Sequence, residues 1–221
     1  MQISPSTVLI TCPLCGENDE KVQLTGPDER LHYHCENCQM IFTDPAYKLS
    51  GEDEQARYEE HNNGIQYPGY VRFLNQAIEP TLPYLNHNMQ GLDFGCGPGP
   101  ALSILLQRQN IECEDYDPYF YPRELTSTYD FIFATECFEH FNYPDREIKR
   151  LKSLIKPGGI LTVMTINWKN LEDFPNWHYA KDPTHVSFFR QETFDFICKK
   201  YGFEELPCRN ARVTILRESV S

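Results

Sequence analysis

The stretch Leu92-Asp93-Phe94-Gly95-Cys96-Gly97-Pro98-Gly99-Pro100 decides the fold, because its three closely spaced glycines join an apolar run to an amphipathic one. Glycines at a strand-to-helix turn let the backbone bend tightly and approach a ligand closely. The run before the turn, Gly91 to Phe94, reads as a strand. The segment after it, about Ala101 to Gln109, reads as a helix with Leu102, Ile104, Leu105 and Leu106 on its apolar positions. Pro100 suits the first turn of that helix, where a missing N–H is harmless. A dinucleotide fingerprint would place a third glycine three residues after the second, but that position is Pro100, and an acid, Asp93, precedes the first glycine.

Downstream, a second strand ends at Tyr116 and Asp117, and Tyr129 to Ala134 is an apolar run of strand character. Ile148, Leu151, Leu154 and Ile155 make one helical face, closed by Pro157, Gly158 and Gly159 before a strand over Ile160 to Thr165. Phe194, Ile197, Cys198 and Tyr201 form another helical stripe, and Val213 and Ile215 alternate like a terminal strand. Alternating short apolar runs and amphipathic stretches predict β-α-β units and a mostly parallel sheet, an α/β fold. Upstream, Tyr70, Phe73, Leu74 and Ile78 recur at helical spacing in a connecting segment. Near the N-terminus, Arg30 to Cys35 and Met40 to Thr43 read as short strands. The expected units are residues 1–46, 47–88 and 89–221.

Composition narrows the function. At 221 residues the chain has room for one α/β domain of ordinary size plus a small appendage. A net charge of −12, from 32 acids and 20 bases, repels phosphate backbones, so nucleic acid is a disfavoured substrate. Apolar stretches are short, and Met1 to Leu14 lacks the pattern of a secretory signal, so no membrane contact and a cytoplasmic location are expected.

With Asp93 ahead of Gly95, the glycine run resembles the first motif of class I S-adenosylmethionine-dependent methyltransferases. Tyr129-Asp130-Phe131-Ile132-Phe133-Ala134-Thr135-Glu136-Cys137-Phe138-Glu139-His140 resembles that family's fourth-strand motif, and Leu154-Ile155-Lys156-Pro157-Gly158-Gly159-Ile160-Leu161 resembles the turn into its fifth strand. The resemblance covers about residues 89–217 and implies a Rossmann-like methyltransferase sheet flanked by helices. It implies S-adenosylmethionine as cofactor, with Asp93, Gly95, Cys96, Gly97, Gly99 and Glu136 around it and Asp117 holding its ribose hydroxyls. Little chain lies between Asp117 and Asp130, so the element that normally contacts adenine is expected to be shortened or absent.

Four of nine cysteines fall in two C-x-x-C pairs, Cys12 with Cys15 and Cys35 with Cys38. Two such turns can set four thiolates around one tetrahedral zinc, predicting a small structural zinc ribbon at the N-terminus. Paired disulfides or a redox dithiol are the competing readings, and neither explains two matched pairs. In so short a segment, metal takes the place of a hydrophobic core. Cys96, Cys113, Cys137, Cys198 and Cys208 read as ordinary small buried residues.

Methyl transfer needs the acceptor atom in line with the S–CH₃ bond in a water-poor pocket, and a base helps when the acceptor is a hydroxyl or an activated carbon. His140 and His185 are the candidates for that role. Glu136, Glu139 and His140 would share one face of a helical turn. That arrangement is similar to one in ubiquinone-pathway O-methyltransferases, where it is associated with a divalent cation, but carboxylates favoured by a helix N-terminus are the preferred explanation. Trp168, Phe174, Trp177, His178 and Tyr179 crowd a long loop that either lines the acceptor pocket or packs on itself. Lys149, Arg150, Lys152 and Lys156 read as a solvated helix face. The leading expectation is methylation of a small molecule. An RNA methyltransferase that docks nucleic acid through the ribbon, and a non-catalytic binding module that keeps the fold, are the alternatives.

Overall fold

The computed structural model describes residues 6–60 and 63–219. The first five residues of the expected ribbon, residues 61–62 of the connecting segment and the last two of the chain lie outside the described residues.

The N-terminal sheet begins with β1 (Thr7–Thr11) and β2 (Asn18–Thr25), a hairpin that sequence periodicity does not reveal. β3 (Leu31–His34) and β4 (Ile41–Thr43) follow within the expected strands. All pair antiparallel in the order β1-β2-β3-β4, and β4 then pairs with β9 (Ser187–Phe188), far along the chain. The ribbon sheet is thus completed by a strand from the other end of the molecule.

The connecting segment forms α1 (Gly51–Glu59) and α2 (Pro68–Thr81). α1 starts because Ser50 Oγ accepts from Asp53 N at 3.1 Å, and Glu52, Asp53 and Glu54 favour the positive end of the helix dipole. α2 buries Leu74, Ala77, Ile78 and Thr81 on one face.

The large sheet contains β5 (Gln90–Phe94), β6 (Glu112–Tyr116), β7 (Tyr129–Thr135), β8 (Ile155–Met164), β10 (Phe203–Leu206) and β11 (Val213–Glu218). Its order is β10-β11-β8-β7-β5-β6. β6, β5, β7 and β8 run parallel, and β11 lies antiparallel to both neighbours. α3 (Leu102–Gln107) joins β5 to β6, α4 (Pro144–Leu154) joins β7 to β8, and α5 (Gln191–Tyr201) precedes β10.

β7 shows why two faces must be covered. Phe131 and Phe133 pack with Leu74, Ile78, Leu102 and Leu106 of α2 and α3, whereas Ile132 and Ala134 pack with Ile148, Leu151, Phe194 and Ile197 of α4 and α5. Strand side chains alternate, so a run apolar at every position needs a helix layer on each side. This is the expected α/β fold. Cys12, Leu14, Tyr33 and Cys38 join the α4–α5 core, which seats the ribbon on that layer.

Four sequence expectations change in detail. α3 begins at Leu102 after Ala101 as cap, so Pro100 falls before the helix rather than in its first turn. β8 begins at Ile155, which leaves the helical face. The shift from Tyr129↔Ile155 to Phe131↔Ile160 absorbs Lys156 to Gly159 as a bulge instead of a helix-closing turn. Cys113, Cys198 and Cys208 are only partly buried, unlike Cys96 and Cys137. No helix or strand forms over residues 117–128 beyond an isolated bridge, so β6 is an edge, as the short spacing implied.

Candidate active site

A cavity of about 760 Å³ opens beyond β5, β6 and β7, at the C-terminal strand ends where open parallel sheets take ligands. Gly95, Cys96 and Gly97 border it. Gly95 (φ +83°) and Gly97 (φ +67°) adopt left-handed backbone that a side chain would strain, and a Cβ on Gly95 would meet Cys137 Sγ at 2.8 Å. The turn is tied down because the amides of Gly95 and Cys96 donate to Tyr116 O at 2.8 and 3.1 Å. Gly99 stands outside the cavity lining, and its missing side chain admits the Asn63 carbonyl, which a Cβ would approach to 2.7 Å.

Asp117, directly after β6, borders the cavity. Its carboxylate accepts from Gly97 N at 3.1 Å, Tyr119 N at 2.8 Å and Phe120 N at 3.1 Å. A carboxylate has about four lone-pair sites, so this pinned group keeps capacity for a ligand hydroxyl. Asp93 lies deeper, outside the lining, only 3 % exposed and with Oδ1 unpartnered. Burial, with Asp115 and Asp117 nearby, raises its carboxyl well above the usual range. A buried carboxyl beneath a turn of close-approach glycines fits a cofactor that carries an ammonium group.

Glu136 follows β7 at φ +48°, a strained value for a residue with a side chain. It borders the cavity, its Oε1 lacks a partner, and burial followed by Glu139 pushes it up to about 8. Tyr179 Oη lies 3.3 Å from Glu136 Oε2 and 2.5 Å from Glu139 Oε1. The expected helical turn shrinks to a 3-10 turn over Phe138–His140, so Glu136 does not share a helix face with Glu139 and His140.

Folding brings His140 and His185 together, with ring centroids 4.9 Å apart and planes at 64°. His140 Nδ1 is 3.0 Å from Thr184 O, and His185 Nδ1 is 2.7 Å from Tyr179 O. A carbonyl only accepts, so each Nδ1 donates. Burial, then the neighbouring His140, pushes His185 down to about 4, and its ring is neutral at pH 7.

Sequence reading missed one wall of the cavity. α1 lays Glu54 and Tyr58 on it, with Tyr58 edge-on to His140 at 5.1 Å and Tyr119 Oη donating to Glu54 Oε2 at 2.6 Å. Arg57 of the same helix donates to Asp182 Oδ2 at 2.8 and 3.2 Å. Glu54, Arg57 and Tyr58 lie at i, i+3 and i+4, the one available signal. Arg150 was expected in solvent; instead it borders the cavity, stacks over Tyr116 at 4.8 Å and donates to Tyr116 Oη at 2.8 Å. Lys149, Lys152 and Lys156 pair with Asp145, Glu218 and Asp130. Of the aromatic loop, none of Trp168, Phe174, Trp177, His178 or Tyr179 borders the cavity. Trp168, Phe174 and Tyr179 are buried with Ile41 and Phe188 in a core between the ribbon and the large sheet.

Among the described residues, two donor groups could hold a metal. The sulfurs of Cys12 and Cys38 are 3.6 Å apart and those of Cys15 and Cys35 3.5 Å, close to the roughly 3.8 Å edge of a tetrahedron with zinc–sulfur bonds of about 2.3 Å. The two turns match, with Gly16 N donating to Cys12 O at 3.0 Å and Gln39 N to Cys35 O at 2.8 Å. Glu139, His140 and His185 can each offer one atom within 4.8 Å of the others, a grouping that replaces Glu136 with a histidine from a distant loop. Among the described residues, no helix is long and apolar enough to cross a membrane.

A family model described as a methyltransferase domain matches residues 58–206. Curated proteins include no match. Among solved structures, the chain is similar to an N-methyltransferase from Bradyrhizobium japonicum in complex with S-adenosyl-L-homocysteine, at 14 % identity over 75 % of this chain and 97 % of that one, TM-score 0.46. It is also similar to a methyltransferase from Thermotoga maritima described as a possible histamine N-methyltransferase, at 14 % identity over 67 % and 89 % of the two chains, TM-score 0.45. With two thirds of its length matched and a glycine-lined cavity at the strand ends, the chain belongs to the methyltransferase-domain family and is an S-adenosylmethionine-dependent methyltransferase.

Proposed function

We propose that the enzyme methylates a small-molecule acceptor inside this cavity, with one structural zinc held by Cys12, Cys15, Cys35 and Cys38. The observation that carries the reading is convergence on one cavity of Gly95, Cys96, Gly97, Asp117 and Glu136 with the His140–His185 pair. Gly95 to Gly97 cradle the amino-acid end of the cofactor, with Asp93 behind, Gly99 letting the chain cross and Glu136 beside it. Asp117 accepts from the ribose hydroxyls. When bound, S-adenosylmethionine supplies an electrophilic methyl group. His140 and the neutral His185 orient the acceptor, and His185 Nε2 takes the proton that a hydroxyl or amine acceptor loses. The cavity walls exclude water and hold the acceptor in line.

The small-molecule reading is supported over RNA by the acidic balance of the chain and by a cavity border on which Glu54, Asp117, Glu147 and Asp182 outnumber Lys48, Arg146 and Arg150. Four cysteines grouped for zinc and five others outside any disulfide fit a reducing compartment such as the cytoplasm. The test is cofactor binding. S-adenosylmethionine should raise the melting temperature, and Gly97→Val should abolish the rise by straining the φ +67° position. A folded wild-type protein that shows no rise at saturating cofactor would refute the assignment. Labelled cofactor in a metabolite extract, read by mass spectrometry, then identifies the acceptor.

A further inference from the structure

Arg30 sits in the turn between β2 and β3 of the ribbon, yet it is only 7 % exposed and its guanidinium reaches across to residues 180–185. Nη1 donates to Pro183 O at 3.0 Å and His185 O at 3.3 Å, and Nη2 donates to Ala180 O and Asp182 O, both at 2.8 Å. Nε donates to Asp28 Oδ2 at 2.5 Å. Guanidinium has five N–H donors in a rigid planar fork, and all five are used. A lysine, with three donors on a point charge, cannot reproduce the pattern.

The four carbonyls belong to the loop whose side chains border the cavity. Asp182 turns its carboxylate to Arg57 of α1, and also accepts from Thr184 N at 3.0 Å and Thr184 Oγ1 at 2.6 Å. Thr184 O accepts from His140 Nδ1, and His185 Nδ1 donates back to Tyr179 O. Thr43 N of β4 donates to Val186 O at 2.8 Å. Four carbonyls converging on one side of a short loop would repel one another without a cation, and between the 3-10 turn over His178–Lys181 and β9 no helix or strand fixes the chain.

We propose that Arg30 is a positioning residue of the methyltransferase cavity: by clamping the carbonyls of residues 180, 182, 183 and 185, it sets the loop that presents His185 to His140 and Asp182 to Arg57. The ribbon thereby becomes a working part of the active site. This rests on the reading above that the His140–His185 wall receives the acceptor.

The test uses the full, zinc-loaded chain and needs no acceptor. In Arg30→Met, hydrogen exchange over residues 178–186 should accelerate by about tenfold or more, as expected when charge-assisted bonds to a loop are lost. The slowly exchanging Nδ1 proton resonance of His185 should disappear, while β5–β8 protection and zinc content stay at wild-type values. Arg30→Lys should recover only part of the protection. Methylguanidinium added to Arg30→Ala, below denaturing concentration, should restore it. Unchanged loop exchange and an unchanged His185 resonance in Arg30→Met would overturn the proposal. So would loss spread evenly over β5–β8, or failure of Arg30→Met to fold with Arg30→Lys indistinguishable from wild type, because both mark a general stability role. A wild-type protein without a cofactor shift refutes the function instead, and the local effect of Arg30 is still read from exchange.

Discussion

Glu136 concentrates the chemistry of the cavity in one residue. It combines a positive φ, an orphaned carboxylate oxygen and a carboxyl raised from the ordinary 4.5 to about 8 by burial and by Glu139. A carboxyl that holds its proton longer when folded makes the native state bind more protons than the unfolded chain between about pH 4.5 and pH 8. Stability contributed by this group is therefore present below pH 4.5 and falls as pH rises through that window. Denaturant titrations at pH 5 and pH 8 should show a larger loss for wild type than for Glu136→Gln, whose side chain cannot ionise. Parallel losses in the two proteins would show that Glu136 titrates normally. The same reasoning separates it from Asp182, whose carboxyl burial would raise but whose bonds from Arg57 and Thr184 hold below the usual range.

At the scale of elements, α1 is held without a buried apolar face. None of its residues is fully buried, so it stays over the cavity through side-chain bonds rather than apolar packing. The Arg57–Asp182 pair and the Tyr119–Glu54 bond are the main ones. A partly exposed ion pair contributes about 0–1 kcal/mol to global stability, yet it can decide whether one helix stays docked. Arg57→Met should leave the melting temperature within a few degrees of wild type, by roughly that energy, while amide exchange across α1 and the dissociation rate of bound S-adenosylmethionine both rise several-fold. A melting temperature that collapses with no selective change in α1 would contradict this division of labour.

For the molecule as a whole, the ribbon and the methyltransferase sheet share structure. β4 pairs with β9, Thr193 Oγ1 donates to Gln39 O at 2.9 Å, and Lys200 Nζ donates to Leu14 O at 2.6 Å. Cys12, Leu14, Cys35 and Cys38 sit in the same core as Phe138, Phe189 and Phe194. Free energy from zinc binding should therefore spread into the large sheet. Cys35→Ser should lower the temperature of a single calorimetric transition, and elemental analysis of wild type should find one zinc per chain. A separate low-temperature ribbon transition, with the main one unmoved, would show two independent units.

The readable part of the chain was the part whose signals are local. The glycine turn, the apolar runs of β5, β7 and β8, the helical stripes of α4 and α5 and the paired C-x-x-C spacings all lie within a few consecutive residues, where backbone stereochemistry and periodicity operate. Those signals suffice for an α/β sheet, a tight glycine turn after its first strand and a four-sulfur cluster. Asp182, Arg150 and Arg30 carried no such mark, and Arg57 and Tyr58 only a helical spacing, because a charge or an aromatic ring on a helix or turn reads as solvated until its partner is known. Their partners lie far away in the chain, and His140 meets His185 from a distant loop just ahead of β9, the strand that pairs with the ribbon's β4. Long-range pairing of that kind depends on which buried polar groups can be satisfied together once the layers pack, a condition that exists only in three dimensions.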